Sequence, residues 1–373
     1  VTDAAVGGWP LPDREFAFEL RVCRWVEACW PPEPGSGGNR DSRSSHGGSL
    51  PDDRVAVVAR QLGVQDRRWD TLVLECDRAK LAERAVFGER ALDSDLLHVV
   101  RHAPPEWAWY RDALPDPGYP WQYVREAVHT AADRDLVETR KRGNRIEFRR
   151  RWRYPEWVER VVAIENKPDL DASAARVLGD QLERDVALGL ADEVWVATRA
   201  TDGADGVEPA LLERLPVEAG ILAVREGDGP AGLDVEPVWH PRSLAVDTPG
   251  TRILERPDGG THDRSAARFE YVDAAWKASK RREIAERAYE RGWRGYADHV
   301  RTDCRHFRVA DAEAPLPACA AKGRCVTARE CAGSCPEFEP EPPAWRAGEW
   351  PIDGGPGRGA MRLLERQRER RRE

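Results

Sequence analysis

Residues 161–164, Val-Val-Ala-Ile, run straight into Glu165-Asn166-Lys167. Four apolar residues that stop on two opposite charges are too few for a helix face and fit a buried strand with its polar end at the rim of a sheet. In a strand, residues i and i+2 point to the same face, so this spacing puts the Glu165 carboxylate and the Lys167 ammonium in one small volume. A second apolar run, residues 69–76, reads as another buried strand and carries Asp70 near its start. After Lys167, residues 172–190 set Leu178, Leu182, Val186 and Leu190 on one helical stripe, with Asp171 as N-cap. Strands are predicted at 193–197 and 219–224, with a short helix around Leu211 between them. Such alternation implies an α/β core with a partly parallel sheet.

Upstream, residues 16–30 carry Phe16, Leu20, Cys23, Val26 and Cys29/Trp30 at a helical period and end at Pro31-Pro32, which cannot continue a helix. Residues 34–51, rich in Gly and Ser, read as a flexible loop. The two apolar runs are separated by about eighty residues of another character. Helices are predicted at 93–102 and 121–132, followed by segments 136–142 and 146–150 joined around Gly143-Asn144, a hairpin signal. Helices followed by a basic hairpin resemble a winged helix. Residues 264–300 are expected to be helical, and residues 358–373 form a basic tail.

The formal net charge of the 373 residues is −8, so a nucleic-acid surface would have to be a local basic patch. Residues 140–153 supply one: eight basic side chains against the single acid Glu147. The candidate phosphate contacts are Arg140, Lys141, Arg142, Arg145, Arg149, Arg150 and Arg151, and DNA is the expected partner. Helix 121–132 would face the groove, although Glu126, His129 and Asp133 are poor phosphate partners. Only six of the 58 basic residues are lysines, which singles out Lys167. No run approaches the ~18 apolar residues of a membrane span, and the N-terminus lacks a secretory signal pattern, so a cytoplasmic protein is expected.

Five of the eight cysteines fall at 304, 319, 325, 331 and 335, among Pro315, Pro317, Gly323, Gly333 and Pro336. A segment so poor in apolar residues cannot build a core, and a metal could supply its folding energy. Cys304, Cys319, Cys331 and Cys335 are the expected ligands, with Cys325 left over and His306 as a substitute. Four thiolates suit Zn²⁺ or an iron–sulfur cluster. Cys23, Cys29 and Cys76 read as packing.

An aspartate in one strand, an apolar strand ending in Glu-x-Lys, then a helix and another apolar strand together resemble the PD-(D/E)XK, or restriction-endonuclease-like, superfamily. The resemblance covers residues 14–80 and 155–226. It implies that Asp70 and Glu165 hold Mg²⁺ or Mn²⁺ and that Lys167 acts on the attacking water or the phosphate. It also implies that Gln181 lies near the site, although RecB-type members follow that glutamine with a tyrosine four residues on, where this chain has Asp185. Glu19 would complete the metal site, in competition with Glu15 and Glu27, while Glu75 and Asp77 compete with Asp70. Some RecB-type members also carry a cysteine-ligated iron–sulfur cluster. The expected layout is a restriction-endonuclease-like core at 14–80 and 155–250, a winged-helix-like insertion at 81–154, a helical Cys-rich module at 264–340 and a tail at 341–373. The expected activity is metal-dependent DNA hydrolysis, with a non-catalytic DNA-binding regulator or an interaction scaffold as the competing readings.

Overall fold

The structure is a computed structural model that describes residues 5–6, 9–10, 14–32, 50–64, 67–169, 172–202, 206–227, 229–255, 268–295, 300–310, 317–331 and 335–340. The expected N-cap Asp171, most of the 34–51 loop and the tail at 341–373 lie outside them.

A short pair, β1 (Ala5–Val6) and β2 (Trp9–Pro10), precedes helix α1 (Arg14–Cys29). Strands β3 (Arg54–Val64) and β4 (Arg67–Asp77) then form a long hairpin that leads into α2 (Arg78–Ala85), capped by the Asp77 carboxylate. The next segment holds α3 (Ser94–His102), β5 (Ala108–Trp109), α4 (Tyr110–Ala113), α5 (Trp121–Asp133), β6 (Val137–Arg142) and β7 (Arg145–Arg150). Its three strands pair in the order β5-β7-β6, and Gly143 turns the hairpin at φ +61°. Asp93 caps α3 by accepting from the Leu96 N–H, as a short acidic side chain at that position should.

The chain returns through β8 (Val158–Asn166), α6 (Ala172–Leu188), β9 (Glu193–Arg199), α7 (Pro209–Arg214), β10 (Gly220–Glu226) and β11 (Leu233–Trp239). These complete a six-stranded sheet of order β11-β10-β9-β8-β4-β3. The β8–β9 and β9–β10 pairs are parallel, and the other three are antiparallel. The molecule is therefore a mixed α/β fold.

The central strands are apolar on both faces because both faces are covered. Val73, Val162, Ile164, Trp195, Ala197, Leu222 and Val224 pack with α1 residues such as Val22 and Val26. The alternate residues Leu72, Leu74, Val161, Ala163, Val194 and Val196 pack in the other core with Leu178 and Leu182 of α6. Cys23, Cys29 and Cys76 are buried in these cores, as their apolar neighbours implied.

Strands absent from the expectations above include β1, β2, β3, β5, β11 and a hairpin of β12 (Gly250–Glu255) with β13 (Arg268–Val272). The last corrects the helical expectation for 264–300: its described part opens as a strand, and the helix is α8 (Ala274–Arg291), capped by Asp273. Arg268–Val272 alternates in character, and only Val272 is buried, so pairing with β12 wins over continuation of the helix. From α8, Glu286 forms a fully buried ion pair with Arg84 of α2 and accepts a 2.7 Å bond from the Tyr154 hydroxyl. The cysteine-rich region folds as a small sheet, β14 (Phe307–Val309), β15 (Pro317–Cys319) and β16 (Arg324–Cys325), followed by the single turn α9 (Ala328–Cys331). Among the described residues, no helix is long and apolar enough to cross a membrane.

Candidate active site

Five elements, α1, β3, β4, β8 and α6, bring acidic and basic side chains together where β8 ends. Antiparallel pairing sets Thr71 opposite Ile164, so Asp70 and Glu165 lie on neighbouring strands one residue past that pair. The Asp70 carboxylate accepts the backbone N–H of Asn166 at 3.0 Å, which ties it directly to the Glu165-x-Lys167 segment. Its other oxygen accepts from the Gln61 side-chain amide at 3.0 Å, and the same amide nitrogen donates to Glu19 on α1 at 3.0 Å. One amide thus bridges two carboxylates. Arg60 holds Glu19 from the other side through two bonds of 2.8 and 2.9 Å.

Gln61 is a site residue that sequence reasoning missed. It stands at φ +54°, in the left-handed region, opposite Asp70 in the β3–β4 hairpin, between the paired couples Arg60–Thr71 and Leu62–Trp69. A side chain beyond glycine held there costs about 1–2 kcal/mol, and such residues concentrate at functional sites. No sequence signal marks it, because glutamine has no special preference for that conformation.

Glu165 is 3% exposed, and its carboxyl is pushed up to about 8 by burial first, then by the charges of Asp70 and Asp185, with Arg67 opposing. Arg67, on β4, donates to Glu165 at 2.6 Å and to Asp185 of α6 at 2.7 Å. Asp185 also accepts from the Trp69 indole at 3.1 Å. Lys167 continues the sheet by donating its backbone N–H to Ala197 at 2.9 Å. Its ammonium lies 2.6 Å from Glu15 of α1 and is held above the usual lysine range by that bond and by the nearby charges of Asp70 and Glu165, against the opposing effect of burial. The Asn166 amide, fully buried, is anchored through Thr71 at 2.9 Å.

The structure therefore brings Asp70, Glu165, Lys167 and Glu19 into one neighbourhood. The competing carboxylates go elsewhere: Glu27 pairs with Arg294, Glu75 with Arg160 and the Trp30 indole, and Asp77 caps α2. Glu15, the remaining competitor, is the partner of Lys167. Gln181 has its side-chain oxygen buried with no hydrogen-bond partner among the described residues. The donor set Glu19, Asp70 and Glu165 consists of carboxylate oxygens, the chemistry that suits a hard divalent cation. Among the described residues, no three His, Cys, Asp or Glu side chains form a preformed metal-holding group; Gln61, Arg60 and Arg67 hold these carboxylates instead.

The basic hairpin is less basic folded than its local sequence suggests. Arg140 and Arg142 lie 2.6 and 3.6 Å from Glu147, Arg149 2.6 Å from Glu138, and Arg151 3.2 Å from Asp135. Two of those acids stand just before the basic stretch and return to it through pairing of β6 with β7. Trp107 carries the Arg140 and Arg149 guanidinium groups at 4.4 and 4.8 Å from its ring centroid, and Trp109 carries Arg145 at 4.6 Å. Lys141 and Arg150 have no carboxylate partner among the described residues.

At the cysteines, Cys304, Cys319, Cys331 and Cys335 line one cavity, whereas Cys325 packs into the core beneath α1. His306 is not part of that cavity and lies 3.4 Å from Glu339.

No curated protein and no solved structure matches the chain. A family model does match residues 57–340, a span that holds Gln61, Arg67, Asp70, Glu165, Lys167, the basic hairpin and all five clustered cysteines, and leaves out α1 with Glu19. On that match the chain belongs to DUF5787, a family of unknown function.

Proposed function

We propose that this protein is a metal-dependent nuclease that hydrolyses DNA phosphodiester bonds, on a restriction-endonuclease-like core with a winged-helix-like insertion at 81–154. The observation that carries the reading is Asp70, held between the Gln61 amide and the Asn166 backbone and adjacent to Glu165 and Lys167 at one strand end. Asp70 and Glu165, with Glu19 beside them, would hold Mg²⁺ or Mn²⁺, and such an ion supplies Lewis-acid stabilisation of charge on a phosphate. The chain's own contributions are then separable. Lys167, about a quarter exposed on its side chain and beside these carboxylates, offers a fixed positive charge to a phosphate oxygen. Gln61 sets the separation of Glu19 and Asp70, and Arg67 limits the repulsion between Glu165 and Asp185.

The helix–strand–helix–helix–hairpin order from α3 to β7 supports the winged-helix reading, and Lys141, Arg145 and Arg150 are hairpin cations that could meet phosphates without first giving up an internal carboxylate. A second reading, a DNA-binding regulator without catalysis, is favoured by one observation: Arg67 gives Glu165 a cationic partner that belongs to the protein itself.

Incubating wild type, Asp70→Ala and Lys167→Ala with plasmid, linear, single-stranded and branched DNA plus Mg²⁺ or Mn²⁺ separates the two readings. The nuclease reading expects cleavage by wild type, none by Asp70→Ala, and a loss of about 100-fold or more for Lys167→Ala, the scale for one preorganised electrostatic group. Equal cleavage by all three would point to another site or a contaminant. No cleavage of any substrate by wild type, with DNA binding intact, would establish the regulator instead.

A further inference from the structure

The four cysteines that share a cavity come from four separate local structures. Cys304 precedes β14 in a turn closed by the bond from the Phe307 N–H to its carbonyl, Cys319 ends β15, Cys331 ends α9, and Cys335 opens the turn that returns to Phe338. On β15, Ala318 joins the core beneath α1 and also borders the cavity, next to Cys319. Cys325 is sorted to the core side as well, where burial pushes its thiol up to about 11.

Among the described residues, Ala318 and Cys325 tie the module to the core beneath α1. Its own apolar cluster consists of Val300, Cys304 and Phe307, with Val309, Cys331 and Phe338 partly buried against them. Strands of two or three residues and a one-turn helix cannot offset their ordering entropy with so small a cluster. The cavity lining carries charges of both signs, Arg301 and Lys322 with Glu330 and Glu337: the Arg301 backbone N–H donates to the Cys331 sulfur at 3.4 Å, the Arg301 guanidinium lies over the Phe338 ring and pairs with Asp303, and Lys322 donates to the Glu330 carbonyl. A set of four thiolates around a divalent ion carries a net charge of about −2, and an N–H···S bond with adjacent cations is what stabilises it.

The cavity volume is about 20 Å³, room for one water-sized sphere. That space suits one ion.

We propose that Cys304, Cys319, Cys331 and Cys335 bind a single structural Zn²⁺ that folds the module spanning residues 300–340. No three of these thiols are already drawn into a ligand group, so binding includes their closure to the ~2.3 Å of Zn–S bonds. The site is independent of the carboxylate cluster.

The test is elemental analysis of the full chain purified without chelator, as wild type, Cys331→Ser, Cys335→Ser, Cys325→Ala and Asp70→Ala. The expected result is one zinc per chain in wild type, Cys325→Ala and Asp70→Ala, and none retained through gel filtration by either Ser variant. Because those variants could misfold, wild type exchanged with Co²⁺ provides a second readout: intense visible bands and sulfur-to-metal charge transfer are expected for tetrahedral thiolate ligation. A native protein free of metal, a brown chromophore with stoichiometric iron, zinc retained by both Ser variants, or a pale octahedral cobalt spectrum would each overturn the proposal.

Discussion

Replacing Arg67 by Met should be among the most destabilising single changes in the sheet, and increasingly so as pH rises. Arg67 is the guanidinium partner of two buried carboxylates, with side-chain exposures of 11% for Arg67, 5% for Glu165 and 2% for Asp185. Removing one member of a buried ion pair leaves an uncompensated charge, at a cost of about 3–5 kcal/mol. Part of that cost is avoided by protonation. The Glu165 and Asp185 carboxyls are already raised by burial, and Arg67 opposes the rise in both, so its loss raises them further. A carboxyl whose folded value exceeds its unfolded value keeps a proton that the unfolded chain gives up. The associated stability is complete below the unfolded value and disappears as pH climbs through the folded one. The penalty of Arg67→Met should therefore be small near pH ~5 and still be growing near pH ~9, above the value of about 8 that the Glu165 carboxyl has with Arg67 in place. Urea unfolding of wild type and Arg67→Met at both pH values, followed by tryptophan fluorescence, measures this. Adding Asp185→Asn to Arg67→Met should recover about 1 kcal/mol or more at the higher pH. A loss below about 1 kcal/mol at both pH values, or the same loss at each, would refute the idea that Arg67 neutralises this pair.

Three other changes have defined outcomes. Gln61→Gly removes the strain at φ +54° and the amide that joins Glu19 to Asp70, so stability measured in urea should stay within about 1 kcal/mol while metal-dependent cleavage falls. Tyr154→Phe deletes the hydroxyl that donates to Glu286 and accepts from the Trp157 indole, which should cost about 1–3 kcal/mol in the same assay. On the hairpin, the pair Lys141→Glu and Arg150→Glu should weaken duplex binding and reduce the slope of log K against log salt by about 0.9 for each phosphate that is no longer neutralised. Arg149→Glu, whose guanidinium already serves Glu138, should weaken binding less.

The parts of the fold legible in the sequence are those decided by local pattern. Residues 161–164, 194–197 and 220–224 lie in strands buried on both faces, so their apolar runs are uninterrupted, and Asp93 and Gly143 mark a helix start and a hairpin turn by their own chemistry. Strand β3 is not legible because Arg60, Gln61 and Gly63 break its apolar run. Two of these breaks have structural causes: Gln61 turns into the candidate site, and Gly63 packs so closely that a Cβ there would stand 2.2 Å from the Arg67 carbonyl oxygen. The local sequence overstates the net basicity of the hairpin for a related reason. Glu138 and Asp135 sit outside the basic window in sequence and return to it only through pairing of β6 with β7.

The candidate site divides along the same line. Glu165 and Lys167 share a strand end, and period 2 alone predicts their proximity. The groups that set the electrostatics around them are separated from them by long stretches of chain: Arg67 lies 98 residues from Glu165 and 118 from Asp185. Position 185 is where the family resemblance implies a tyrosine and the chain has aspartate, a departure that weakens the reading of Gln181 from sequence. In the folded chain that departure has a counterpart. A carboxylate 3% exposed needs a cation and donors, and Arg67 and Trp69, two residues apart on β4, supply both. Once Arg67 is committed to Asp185, its remaining reach falls on Glu165. The aspartate on α6 thereby sets a guanidinium against a carboxylate on β8, through an arginine that no local pattern could have singled out.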